Sequence, residues 1–88
     1  MMKIKKDFML RTVGGQHMVV ATGLTSRTFN GMLRLNEVGA FLWNRLTVGA
    51  EKEDLINALL GEYAVDAATA TADVEAFLTQ LGEVGVFE

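Results

Sequence analysis

The hydrophobic period of this chain changes inside FNGMLRLNEVGAFLWNRL, residues 29 to 46, and the rest of the fold is ordered around that change. Ahead of it lie two β-prone runs, FMLRTV over Phe8–Val13 and QHMVVA over Gln16–Ala21, joined by Gly14-Gly15. A two-glycine joint between such runs predicts a hairpin, because a type I′ turn needs positive φ at both central residues. The stretch TGLTSRTFNG, 22 to 31, is dense in turn formers and reads as a loop, after which Met32–Leu35 makes a short third strand. Asn36 then suits a helix N-cap, since its side chain can accept a first-turn N–H, and Glu37 sits well at the positive end of the dipole.

From there the period is helical. A first helix is predicted over about Glu37–Leu46, with Val38, Phe41, Leu42 and Leu46 on its apolar stripe. Trp43 lies off that stripe, four residues after Gly39, where a neighbouring element would approach over the glycine and pack on the indole. Packing is favoured there over a ligand-stacking role. A second helix is predicted over about Glu51–Tyr63, with Leu55, Ile56, Leu59, Leu60 and Tyr63 on one face and Ala50 in the cap position, a weak start. Asp66 caps a third, whose stripe is Val74, Phe77, Leu78 and Leu81. Gly82 and Gly85 end it, and Val86-Phe87 is placed to fold back on the core. Three strands followed by three helices make an α+β domain in which the helices cover one face of an antiparallel sheet.

A chain of 88 residues without proline, repeat or low-complexity segment reads as a single domain, 1–88. At that size roughly 60–65% of the unfolded surface is buried, so the core is thin and a partner or a homodimer would add to it. The absence of cysteine excludes a disulfide frame, a thiolate metal site and an iron–sulfur cluster ligated by this chain. MMKIKKDF lacks the apolar segment of a signal peptide, and no run is long enough to span a membrane, so a soluble, cytoplasmic protein is expected. The net charge of −3 conceals a division: all eight basic residues lie in the first 52 positions, whereas Glu53 to Glu88 carries eight carboxylates and no lysine or arginine.

No constellation carries chemistry. His17 is the only histidine and has no Cys, Asp or Glu within four positions, which starts no metal set. Ser26 is the only serine and has no neighbouring base. Glu53-Asp54 and Asp73 with Glu75 sit on helices whose apolar faces are taken by core, so they read as solvated residues rather than an acid–base pair. Gly14-Gly15 lacks the spacing and the lysine of a phosphate loop. The expectation is a protein that binds, with no enzyme activity, no cofactor and no metal.

Three pieces in order carry a family resemblance: FNGMLRLNEVGAFLWNRL, EDLINALLGEYAVD (53 to 66) and ADVEAFLTQLGEVGVFE (72 to 88). Leu35-Asn36 before Glu37, the Leu42-Trp43 pair, the turn with Tyr63, Val65 and Asp66, and the closing Asp73, Val74, Phe77, Leu78, Leu81, Gly85 and Val86 resemble the PqqD-like family, named for coenzyme PQQ synthesis protein D. Ala50 departs from the Ser or Thr expected before the second helix. The likeness covers nearly the whole chain and implies a winged-helix-like domain that recognises the leader of a ribosomally made, modified peptide. It further implies a stand-alone chaperone that presents the precursor to a modifying enzyme, a radical SAM protein being the expected partner. The leader would add as a strand to the open edge of the third strand and lie against the third helix. That places the peptide-binding residues at Met32, Leu33, Arg34 and Leu35 and, along one border of the third helix, at Asp73, Phe77 and Gln80. Leu33 and Leu35 are expected to point inward and Arg34 toward the peptide, to pair with an acidic leader residue or to guard the edge. The same fold class includes DNA-binding regulators, but a groove-entering helix needs lysine and arginine, and the third helix has none, so no nucleic-acid partner is expected. A generic adaptor or dimerisation domain using the same edge is the other alternative.

Overall fold

A computed structural model describes residues 1–23 and 33–88. Three strands, β1 (Phe8–Val13), β2 (Gln16–Ala21) and β3 (Leu33–Leu35), precede three helices, α1 (Glu37–Val48), α2 (Lys52–Glu62) and α3 (Ala67–Val84). Ser26, Met32 and most of the expected 22 to 31 loop lie outside the described residues. Gly14 and Gly15 take φ of 59° and 79°, the left-handed pair that a type I′ turn requires. Both strand pairings are antiparallel, in the order β1-β2-β3, so β2 is central and β3 forms an edge.

Phe8, Val19 and Leu35 are buried on one face of the sheet, and Leu10, Ala21 and Leu33 pack against the same cluster. The leucines of β3 therefore point inward and Arg34 is exposed. The opposite face, with Met9 and Val13 exposed, is uncovered by the helices. On the covered side α1 buries Gly39, Ala40, Leu42, Trp43 and Leu46. The stripe is thus rotated from the one expected. Trp43 lies on it at 1% exposure, while Val38 and Phe41 are only partly buried. The reason is Gly39: without a side chain at that position, α1 settles closest to its neighbours along the line from Gly39 to Trp43. Leu55 and Leu59 of α2, and Ala70, Val74, Phe77 and Leu81 of α3, complete the core, and Leu60 remains 39% exposed.

The helix ends follow their caps. The Asn36 side chain accepts from Gly39 N–H at 2.7 Å, and its carbonyl accepts from Ala40 N–H at 2.9 Å. Asn36→Ala should therefore cost about 0.5–2 kcal/mol in denaturant melts and Asn36→Asp little, whereas neutrality of both would place the helix start elsewhere. Helix α1 runs two residues beyond the expected Leu46, to Val48, before Gly49 at φ 114° stops it. The cap of α2 is Glu51, not Ala50: the Glu51 N–H donates to Asp54 Oδ2 at 2.9 Å. Ala50 is instead paired with Met2 through both backbone groups. Asp66 caps α3 by accepting from Thr69 N–H at 2.7 Å, which holds its carboxyl below the usual carboxylate range. Helix α3 passes through Gly82 and ends only at Gly85, where φ is 85°. Val86 then folds back to complete burial. The first residues join this closure, with Ile4 bridging Phe87 and Lys5 N–H donating to the Val86 carbonyl.

Candidate functional site: a groove along an open strand edge

The turn at Gly14-Gly15 decides which backbone groups β3 leaves free. In a hairpin closed by a two-residue turn, the flanking pair Val13 and Gln16 exchanges both hydrogen bonds, and such pairs recur at every second residue. Gln16, Met18 and Val20 therefore face β1, and the next residue of that parity, Thr22, donates its N–H to the Asp7 carbonyl at 2.7 Å. His17, Val19 and Ala21 must then face β3. Their partners His17–Leu35 and Val19–Leu33 are the bonded pairs, while Arg34 lies opposite Met18 in a non-bonded position. Hence Leu33 and Leu35 direct N–H and C=O into the sheet, and Arg34 directs both outward, to the edge with no neighbouring strand among the described residues.

That edge borders a groove of about 320 Å³ between the β3–α1 junction and α3. Its lining is Arg34, Leu35, Asn36, Val38, Gly39 and Leu42 on one side and Asp73, Ala76, Phe77 and Gln80 on the other. The four α3 residues fall at i, i+3, i+4 and i+7, one face of a helix. Gly39 keeps the base of the groove closed: a Cβ there would lie 3.3 Å from Leu35 Cβ and Asn36 Oδ1 and 3.4 Å from the Phe77 ring. Phe77, at 8% exposure, serves core and groove together.

Five of the residues expected from sequence, Arg34, Leu35, Asp73, Phe77 and Gln80, come together in this one groove. Leu33 does not line it and packs on the core, and Met32 lies outside the described residues. Asn36, Val38, Gly39, Leu42 and Ala76 were not anticipated as lining. Ala76 had a signal, its position three residues after Asp73 on the same helical face, but the α1 residues are brought in by tertiary packing alone.

Beside the groove, His17 braces the hairpin to the start of α1. Its Nδ1 is 2.8 Å from Thr12 Oγ1 and its Nε2 is 3.1 Å from Glu37 Oε1. Glu75 pairs with Lys52, and Asp54 serves the α2 cap, so these carboxylates hold structure. Among the described residues no three of His, Cys, Asp and Glu are grouped to hold a metal ion, and no helix is long and apolar enough to cross a membrane.

Residues 11–86 match the family model described as Coenzyme PQQ synthesis protein D (PqqD). The chain belongs to the PqqD family. The match takes in all three helices, β2, β3 and half of β1, and so the whole groove. A comparison with curated proteins gives no match. Among solved structures, TbiB1 in complex with the TbiA(beta) leader peptide is similar at a TM-score of 0.77 and 24% identity, covering 98% of this chain and 94% of that one. Lasso peptide synthetase B1 complexed with the leader peptide is similar at a TM-score of 0.77 and 22% identity, covering 99% of this chain and 96% of that one. At these identities the likeness is one of fold: a three-stranded antiparallel sheet followed by three helices is the PqqD-family architecture that this chain shares with both.

Proposed function

We propose that this PqqD-family chain is a peptide-binding accessory protein, not an enzyme, which captures the leader of a ribosomally made precursor and presents it to a modifying enzyme. The observation that carries the reading is the pair of Arg34 backbone groups aimed at an open edge beside an apolar-floored groove. An extended peptide added at that edge takes main-chain hydrogen bonds from β3 and seats alternate side chains against α3. Arg34, Leu35, Asp73, Phe77 and Gln80 then contact the peptide, and Asn36, Val38, Gly39, Leu42 and Ala76 join them. Leu33 supports the strand from the core side, and Met32 completes the proposed set of peptide-binding residues. Two similar structures hold leader peptides, which favours a leader over other extended ligands.

The modifying enzyme is read as a radical SAM protein because the family resemblance implies one; this chain, without cysteine, has no thiolates to ligate an iron–sulfur cluster itself. A second copy pairing at the same edge would compete with the peptide, so any homodimer should dissociate as peptide is added. Calorimetric titration should show a precursor's leader segment binding and its core segment and a scrambled leader failing to bind. Equal affinities for leader and scrambled leader would overturn the proposal.

A further inference from the structure

We infer that the groove selects an extended segment in which one acidic residue stands between two apolar ones, and that Arg34 reads the acid. This rests on the strand-addition reading of the groove and adds to it the chemistry of the bound residues.

Pleating fixes which side chains go where. Only Arg34 in β3 offers both backbone groups to the open edge, so it sets the register of an incoming strand. Side chains of paired residues share a face of the sheet. The peptide residue paired with Arg34 therefore projects on the side of the Arg34 side chain, away from the helices. The residues before and after it project on the other side, where Leu35, Leu42 and Phe77 form the groove floor. This holds whether the peptide runs parallel or antiparallel to β3, because alternation does not depend on direction.

The charges of the two sides differ. On the uncovered face of the sheet the strands carry Met9, Arg11, Val13, Gln16, Met18, Val20 and Arg34, whose only charged members are arginines. Arg11 and Arg34 flank Met18 across the sheet. No ion pair engages Arg34 among the described residues, and residues 24 to 32 contain no Asp or Glu. A carboxylate next to Arg34 thus gains an unshared cation, with a second arginine on the same face. On the groove side the charged lining residue of α3 is Asp73, which repels an acid and leaves the floor to apolar side chains. The two faces impose opposite preferences on neighbouring peptide positions, and apolar–acidic–apolar is the pattern that satisfies both.

The test is selection from a random peptide library displayed on mRNA, run against the folded wild-type protein and against Arg34→Glu, with each synthesised winner mapped by amide chemical shifts. Wild type should enrich an acid between two apolar residues, with shifts at 33–35 and along 73–80. Replacing that acid by glutamine should weaken binding roughly two- to fivefold, the scale of an exposed ion pair. Arg34→Glu, whose fold is checked by its amide spectrum, should enrich lysine or arginine at the same position. Winners that map to the edge and groove without any charge preference, in both proteins, would overturn the pattern while leaving strand addition standing. Winners that map elsewhere, or a library yielding none, would overturn both.

Discussion

Arg34→Pro should fold normally and lose peptide binding by about 5- to 150-fold, whereas Leu33→Pro should weaken the sheet itself. The two positions are adjacent in a three-residue strand, and only the hydrogen-bond parity separates them. Proline removes the N–H and fixes φ near −65°, which an edge strand tolerates where that N–H faces outward. At Arg34 the lost donor is the one a bound strand would use. Its carbonyl partner on the peptide would be stranded at a cost of about 1–3 kcal/mol, which gives the stated range. Arg34→Ala separates side chain from backbone, and should cost only the smaller ion-pair factor. At Leu33 the same change removes a ladder bond to Val19, whose side chain is fully buried, and about 1–3 kcal/mol of stability should go with it. Equal effects of both prolines on folding would mean that the parity carried from the Gly14-Gly15 turn is wrong.

Trp43→Ala should cost about 3–5 kcal/mol in urea melts. The indole is 1% exposed and belongs to the central cluster with Leu42, Leu46 and Leu55. For a domain of this size that is a large part of a total stability on the order of 5–10 kcal/mol. As the only tryptophan, it also reports its own environment by emission. A loss below about 1 kcal/mol would show the residue outside the core and return it to a ligand-stacking role.

The elements that sequence alone made legible are those fixed by local chemistry. Gly14-Gly15 set the hairpin, and its register matches the expected runs residue for residue. Asn36 and Asp66 cap the helices at which their side chains pointed. The elements that were not legible depend on contacts distant in sequence. Nothing in MMKIKKDF announces that Met2 pairs with Ala50 or that Ile4 bridges Phe87. That pairing is also why Ala50 is no cap. The rotation of α1 onto Trp43 depends on Phe77 of α3 approaching over Gly39, a contact that spans 38 positions (77 − 39).

The groove divides in the same way. Asp73, Phe77 and Gln80 could be grouped because helical spacing puts them on one face, and Arg34 and Leu35 because they end a strand. Joining the two groups required the packing of α3 beside the β3–α1 junction, which no local pattern encodes. The direction of the Arg34 backbone groups was out of reach for a different reason. Parity passes easily from the turn to β2, but β3 follows a connection of 11 residues, 22 to 32, whose length does not fix the β2–β3 register.

Amide hydrogen exchange at the three residues of β3 tests the central claim most directly. In the free protein the Leu33 and Leu35 amides should be protected by β2, and the Arg34 amide should exchange as an open edge does. On adding a leader peptide, Arg34 should become protected while its neighbours change little. An Arg34 amide already protected in the free protein, or one left unprotected at saturating peptide, would contradict strand addition at this edge.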